Sequence, residues 1–300
     1  MTDRSFAIDI VFPQTEIGTD PLEIRDLAQG VEELGFRALV AYDHVIGADL
    51  THRPDWNMPY HLDTEFHEPL ALFAYLAGLT KTLVLMTGVV ILPQRQTVLF
   101  AKQAAAVDIF SGGRLRLGVG IGWNKIEYDA LGMPFEGRGG AIEEQIPLLR
   151  RLWKERSLSD DGRFHHIDEA GIYPLPVQRP IPLWVGGSTA PAMKRAARLG
   201  DGWFPYLPAA PAVETVGKFR DAVRAEGRDP DDVPIENIIF LAPFGRPRRT
   251  LDDVAEDAAA WEEAGAHGIC IDTMKMGLRG ADQHLGLARD LAQRLDLGRG

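Results

Sequence analysis

Residues 113–128 read Gly-Arg-Leu-Arg-Leu-Gly-Val-Gly-Ile-Gly-Trp-Asn-Lys-Ile-Glu-Tyr, and Gly118, Gly120 and Gly122 alternate with apolar residues in what is otherwise a β-strand pattern. Residues two apart in a strand share a face, so one face is bare while Leu117, Val119 and Ile121 make the other apolar. Glycine packs nothing and loses more backbone entropy than any other residue, so three in alternation imply that something else fills the bare side. A dinucleotide fingerprint would need G-x-G-x-x-G opening a helix, and the spacing here is G-x-G-x-G within the strand.

Outward from this stretch, strand-like runs recur at 6–12, 36–42, 83–92, 115–123, 182–186, 202–206, 237–241 and 268–272. Helical patterns separate them. Asp20-Pro21-Leu22-Glu23 supplies an N-cap, a first-turn proline and a third-position glutamate, with Leu27, Val31 and Leu34 on one face before Gly35; residues 250–265 have the same form. Several strands are apolar on both faces, among them Leu83-Val84-Leu85-Met86 and Ile238-Ile239-Phe240-Leu241, which fits parallel strands covered by helices. Eight such units point to a (β/α)8 barrel, with an open doubly wound sheet as the alternative. No linker or compositional break divides the chain, so residues 1–300 are expected to form one domain. The apolar set of the fourth strand then packs under helices, and its glycines face the lumen.

Two segments exceed the bare repeat: 47–65 after the second strand and 154–180 before the fifth. The first, with Trp56, Tyr60, nearby Phe66 and histidines, follows a strand and is expected over the catalytic mouth.

The chain has 300 residues, 45% of them hydrophobic and 25% charged, an ordinary globular balance. Its net charge of -11 argues against a nucleic-acid partner; the densest basic group, Arg246, Arg248 and Arg249, is a local anion-site candidate at most. Cys270, the single cysteine, can form no internal disulfide. The longest apolar stretch is too short to span a bilayer and closes at Pro93, and the first residues lack the apolar core of a secretory signal. A cytoplasmic protein without a membrane partner is expected.

Chemistry concentrates at the strand ends. The glycine face either leaves room for a flat ligand or relieves crowding in the lumen. Val185-Gly186-Gly187-Ser188-Thr189 ahead of a helix is either a phosphate cradle or an ordinary capped turn. Tyr42-Asp43-His44 puts an acid and an imidazole at the mouth, either as a proton-transfer pair or as a capped strand end with a surface histidine. No metal site is expected, because His52, His61 and His67 are irregularly spaced, His165 and His166 are adjacent, and the first strand lacks His-x-His. Asp43, Glu68 and Glu127 have no spacing that would define a glycosidase pair.

Taken together, Tyr42-Asp43-His44, Thr87 through Pro93, Ser111 through Glu127, Leu152-Trp153 and Pro182 through Gly187 resemble the luciferase-like monooxygenase superfamily. The fourth-strand run, with Arg138 and Glu144 downstream, is most similar to the branch that uses the deazaflavin coenzyme F420. The resemblance implies a bacterial luciferase-like barrel with a flavin or deazaflavin across its C-terminal mouth, the ring against the third and fourth strands and the phosphate near the fifth. It also implies a bulge with a cis peptide at Gly88-Val89. The implied cofactor-binding residues are Asp43, Thr87, Gly88, Val89, Gly120, Gly122, Trp123, Gly186, Gly187, Ser188 and Thr189, with His44 and Asp43 catalytic.

The sugar-phosphate dehydrogenases of the superfamily carry a glutamate acid where this chain has Trp123, so their substrate and acid do not transfer. Pro147 falls inside the helix that follows. The implied activity is hydride transfer between F420 and a small organic substrate in a partly apolar pocket, by a homodimer. FMN-dependent monooxygenation is the alternative, and a non-catalytic flavin-binding barrel is the alternative of another class.

Overall fold

Eight of the ten strands in the computed structural model, which describes residues 6–297, are parallel and form one sheet. In chain order the elements are β1 (Ala7–Val11), α1 (Pro21–Glu33), β2 (Ala38–Ala41), α2 (Pro69–Ala77), β3 (Val84–Ile91), α3 (Thr97–Phe110), β4 (Leu115–Gly120), α4 (Lys125–Ala130) and α5 (Arg138–Leu152). They continue with β5 (Leu158–Asp161), β6 (His166–Ala170), β7 (Leu183–Gly186), α6 (Ala190–Leu199), β8 (Gly202–Phe204), α7 (Ala212–Ala225), β9 (Glu236–Phe240), α8 (Leu251–Glu263), β10 (Gly268–Asp272) and α9 (Gly280–Arg294). The sheet runs β8-β7-β4-β3-β2-β1-β10-β9, and a parallel bridge between Trp203 and Ile235 joins its two edges. The architecture is a (β/α)8 barrel.

All eight expected barrel strands are present. The fourth is shorter than its pattern, ending at Gly120, because Gly122 has φ +63 and turns the chain away from the sheet. The second insertion holds the antiparallel hairpin β5–β6, which no alternation announced: its strands carry Ser159, Asp160, Asp161, His166, Asp168 and Glu169 on largely solvated faces. The Glu144 carboxylate anchors this hairpin, accepting from the amides of Arg163 and Phe164, both at 2.9 Å, and lying 2.7 Å from His165 Nδ1. Helix starts follow the sequence signals: Asp20 accepts from the Leu22 amide at 2.8 Å, and Thr250 and Asp253 form a capping box.

Strand alternation sorts the core into two layers. Leu39, Leu85, Leu117, Val119, Leu183 and Val185 pack outward with the helices. Val40, Tyr42, Met86, Trp184, Phe204 and Ile238 pack inward with one another. The lower lumen also holds charge. Arg37 pairs with buried Asp9 and, at 2.7 Å, with buried Glu236, which also accepts from Arg116 at 2.9 Å. The Arg116 guanidinium lies 4.7 Å from the Trp184 ring centre. Burial pushes Asp9 up to about 6, whereas the two arginines overcome burial at Glu236 and hold it below the usual range.

His284 on α9 is buried with neither ring nitrogen hydrogen-bonded, and desolvation lowers its pKa from 6.5 to about 4. Between those values the unfolded chain takes up a proton that the folded chain refuses. Stability therefore falls as the pH falls through that window, by as much as about 3 kcal/mol from this group. We expect His284→Leu to lose less stability than the wild type between pH 7 and pH 4.5 in urea denaturation. Equal losses would exclude His284 as the source.

Candidate active site

A cavity of about 680 Å³ opens at the C-terminal ends of the strands, within the range of about 300–1,000 Å³ common for small-molecule sites. Its floor is made by β3, β4 and β7. The β3–β4 register shifts between Thr87 and Val90, and the Gly88-Val89 peptide is cis. Val89 thereby projects among bare positions. A Cβ on Gly118 would lie 3.3 Å from Val89 Cγ1 and 2.0 Å from the Thr87 carbonyl oxygen; on Gly120, 2.6 Å from Val89 Cγ2; on Gly186, 2.5 Å from Val89 Cγ1. The alternating glycines of β4 thus make room for a neighbouring strand's side chain. Val89, Gly88, Gly120, Gly122 and Gly186 all line the cavity.

At one end stands His44, whose Nδ1 is 2.8 Å from Glu127 Oε1. Glu127 is only 1% exposed and also accepts from the Val45 amide at 3.3 Å and Gln94 Nε2 at 3.1 Å. Helix α4, begun by the Asn124 cap, carries this carboxylate to the site. With Nδ1–H assigned to the carboxylate, Nε2 is left for proton exchange at the cavity.

The structure corrects the expectation that Asp43 adjusts its neighbour His44. The Asp43 carboxylate accepts from Arg95 Nη2 at 2.7 Å and from the Ile91 amide at 3.0 Å. Adjacent residues of an extended chain point apart, which separates the two side chains. Asp43 lines the cavity while its charge ties the end of β2 to the end of β3.

The first insertion folds over His44. Tyr60 and Phe66 each lie 4.7 Å from the imidazole centre and Trp123 5.7 Å, while Trp56 packs 6.1 Å from Trp123 and donates to the Tyr60 carbonyl at 2.9 Å. These rings bring apolar cover to His44.

The other end carries positive charge. Gly187, with φ +108, and Thr189 line the cavity ahead of α6. Pro191 has no amide and the Ala192 amide is capped by Thr189 Oγ1 at 3.4 Å, so the helix start offers few free donors. Two arginines add to it. Arg195, 7% exposed, reaches Glu143 only at 3.3 Å, and Arg138 stacks 3.7 Å from the Phe135 ring centre and donates to the Phe135 carbonyl at 2.9 Å. The Nε of each is buried without a partner. Both arginines line the cavity, so this end would attract a phosphate.

Two of the expected cofactor-binding residues do not line the cavity. Thr87 is fully buried and its hydroxyl donates to the Gly118 carbonyl at 2.7 Å, while the Ser188 hydroxyl donates to the Tyr206 carbonyl at 2.6 Å and accepts its amide at 2.9 Å. Of the pair that carried the resemblance to the F420 branch, Arg138 reaches the cavity and Glu144 holds the hairpin. The basic trio disperses: Arg249 pairs with Asp257 at 2.7 Å and Arg248 donates to the Lys275 carbonyl at 3.1 Å. Sequence reasoning left Glu127, Arg95 and Arg195 without roles, since each lies dozens of residues from its partner or from the strand end it serves. No helix among the described residues is long and apolar enough to cross a membrane, and no three metal-ligating side chains gather.

The luciferase-like monooxygenase family matches residues 8–290, and the chain belongs to that family, whose members are oxidoreductases or monooxygenases. An uncharacterized protein of Mycobacterium tuberculosis is 34% identical over 197 residues, 64% of this chain and 68% of its own. The FMNH(2)-dependent dimethylsulfone monooxygenase of Pseudomonas putida is 32% identical over 164 residues, 53% of this chain and 44% of its own. An F420-dependent secondary alcohol dehydrogenase, solved with an F420-acetone adduct, superposes with TM-score 0.78 over 97% of this chain and 99% of its own. At 16% identity that likeness shows the fold.

Adding a methyl group at Gly120 should force Val89 aside. We expect Gly120→Ala to cost about 1–3 kcal/mol and Val89→Ala in the same chain to recover much of the loss, read as a double-mutant cycle by denaturation. Strictly additive losses would show that Gly120 is bare for another reason.

Proposed function

We propose that this protein is an oxidoreductase that moves hydride between coenzyme F420 and a small organic acceptor, with His44 as the proton relay. The observation that carries the reading is one cavity lined by a histidine–carboxylate pair and by two arginines, buried Arg195 and half-buried Arg138. Val89, Gly88, Gly120, Gly122 and Trp123 would hold the deazaflavin ring, and Gly187, Thr189, Arg138 and Arg195 its phosphate. The bound coenzyme supplies the hydride chemistry. Glu127 keeps a proton on Nδ1, so that Nε2 can take or give one at the acceptor, and the Trp56, Tyr60 and Trp123 rings limit water there.

The choice of F420 rests on the fourth-strand resemblance together with Arg138. FMN-dependent monooxygenation is the second reading, favoured by the FMNH(2)-dependent relative, and it would use the same residues. The His44–Glu127 pair speaks against a barrel that merely stores a flavin. A homodimer in the cytoplasm, acting on a small molecule, completes the proposal; the net charge of -11 supports the absence of a nucleic-acid partner. The pairing of β1 with β10 supports the single-domain reading across the described residues 6–297.

Parallel fluorescence titrations with F420 and FMN decide the cofactor: F420 should bind more tightly, and tight FMN binding without F420 binding would reverse the assignment. Replacing Arg195 with Leu should weaken the preferred cofactor about tenfold or more, as expected for losing a charge-assisted contact to phosphate.

For proton transfer, His44→Ala should lower turnover by about 10² to 10⁴ with cofactor affinity near normal, and Glu127→Gln should lower it in the same direction. Full turnover in a folded His44→Ala protein would remove His44 from the mechanism.

A further inference from the structure

A second cavity, of about 220 Å³, adjoins the first and shares Tyr60 and Phe240 with it. Tyr60, Tyr206, Phe240 and Phe244 give it aromatic walls, and its polar groups are Asp272 and Lys275. The Lys275 ammonium lies 5.1 Å from the ring centres of both Tyr60 and Phe244, and its hydrogen-bond acceptor is the Pro59 carbonyl at 3.4 Å. Aromatic faces attract a cation without neutralising it.

The carboxylates nearby attract the ammonium from beyond ion-pair distance, and Glu16 keeps a buried Oε2 without a partner. Asp272 accepts from the Tyr42 hydroxyl at 2.7 Å and the Met274 amide at 2.8 Å, and Glu16 accepts from the Gly277 amide at 2.9 Å. Neither forms an ion pair with Lys275 among the described residues. Burial outweighs the attraction of Asp272 and Glu16 and lowers the ammonium's pKa. The backbone of Lys275 is left-handed at φ +65, a conformation that glycine or asparagine adopts more cheaply, and Arg248 holds its carbonyl at 3.1 Å.

A half-buried lysine in a left-handed turn, aimed among rings and outside ion-pair distance of both carboxylates, is explained by a ligand that brings an anion into contact. We propose that this cavity is the acceptor subsite, that it takes a small aromatic monocarboxylate, and that Lys275 selects the carboxylate. One ammonium matches one negative charge, and the four rings match a flat apolar body. The assignment of the ligand as acceptor rests on the larger cavity holding the cofactor.

The test is calorimetric titration of the whole chain with benzoate and phenylacetate against benzamide and phenylacetamide, with inorganic phosphate present to occupy Arg138 and Arg195. The wild type should prefer each acid over its amide by about tenfold or more. Lys275→Met should abolish that preference while still binding the amides, and Lys275→Arg should retain it. Equal affinity for acid and amide in the wild type would overturn the proposal, as would a preference that survives in Lys275→Met, or failure of all four probes to bind. Cofactor titrations of the same proteins test the larger cavity separately, so the two readings fail on different measurements.

Discussion

Val89 enters the lumen where three positions on the adjoining strands carry no side chain, and the shape of the mouth depends on that fit. A Cβ at Gly120 or Gly186 would come within 2.6 Å of Val89 side-chain atoms, and one at Gly118 would meet the Thr87 carbonyl oxygen at 2.0 Å, so β4 and β7 can close against β3 only while all three stay bare. The packed interior tolerates little overlap, so this site couples three strands through a single isopropyl group. The residue that fills the vacated space also forms the floor of the cavity. Of the two sequence readings of the glycine face, the structure therefore shows the relief of crowding: Val89 occupies the bare side and lines the cavity with Gly120 and Gly186.

The sequence makes the barrel legible because parallel strands buried on both faces leave continuous apolar runs, and glycines mark the returns from helix to strand. The β5–β6 hairpin escapes because solvated strands bearing acidic residues and histidine give no such run. The active site is legible only at its strand ends. Tyr42-Asp43-His44 locates the imidazole, but adjacency along an extended chain suggests the wrong carboxylate: His44 meets Glu127, 83 residues away, while Asp43 meets Arg95. Pairings of this kind follow from the closure of the barrel, which no local pattern encodes. Arg195 illustrates the same limit, since nothing around it in the α6 sequence distinguishes a cavity-lining guanidinium from a solvated one.

The two ends of the barrel treat charge in opposite ways. In the lower lumen, Asp9, Arg37, Glu236 and Arg116 form a connected group of two acids and two bases in direct contact, and none of its buried side-chain atoms lacks a partner. Breaking one partner there would strand a buried charge, so the cluster fixes the strands that contribute to it and offers a ligand nothing. At the mouth the matching is incomplete. Arg138 and Arg195 keep unpartnered Nε donors, and Lys275 lies among rings with a single long hydrogen bond. Unsatisfied charge is costly in an empty pocket, and the cost is offset only when a complementary group arrives. The cations are thus paired with carboxylates below Val89 and less completely paired above it, and this difference is what makes the mouth the end of the barrel where an anionic group would gain most.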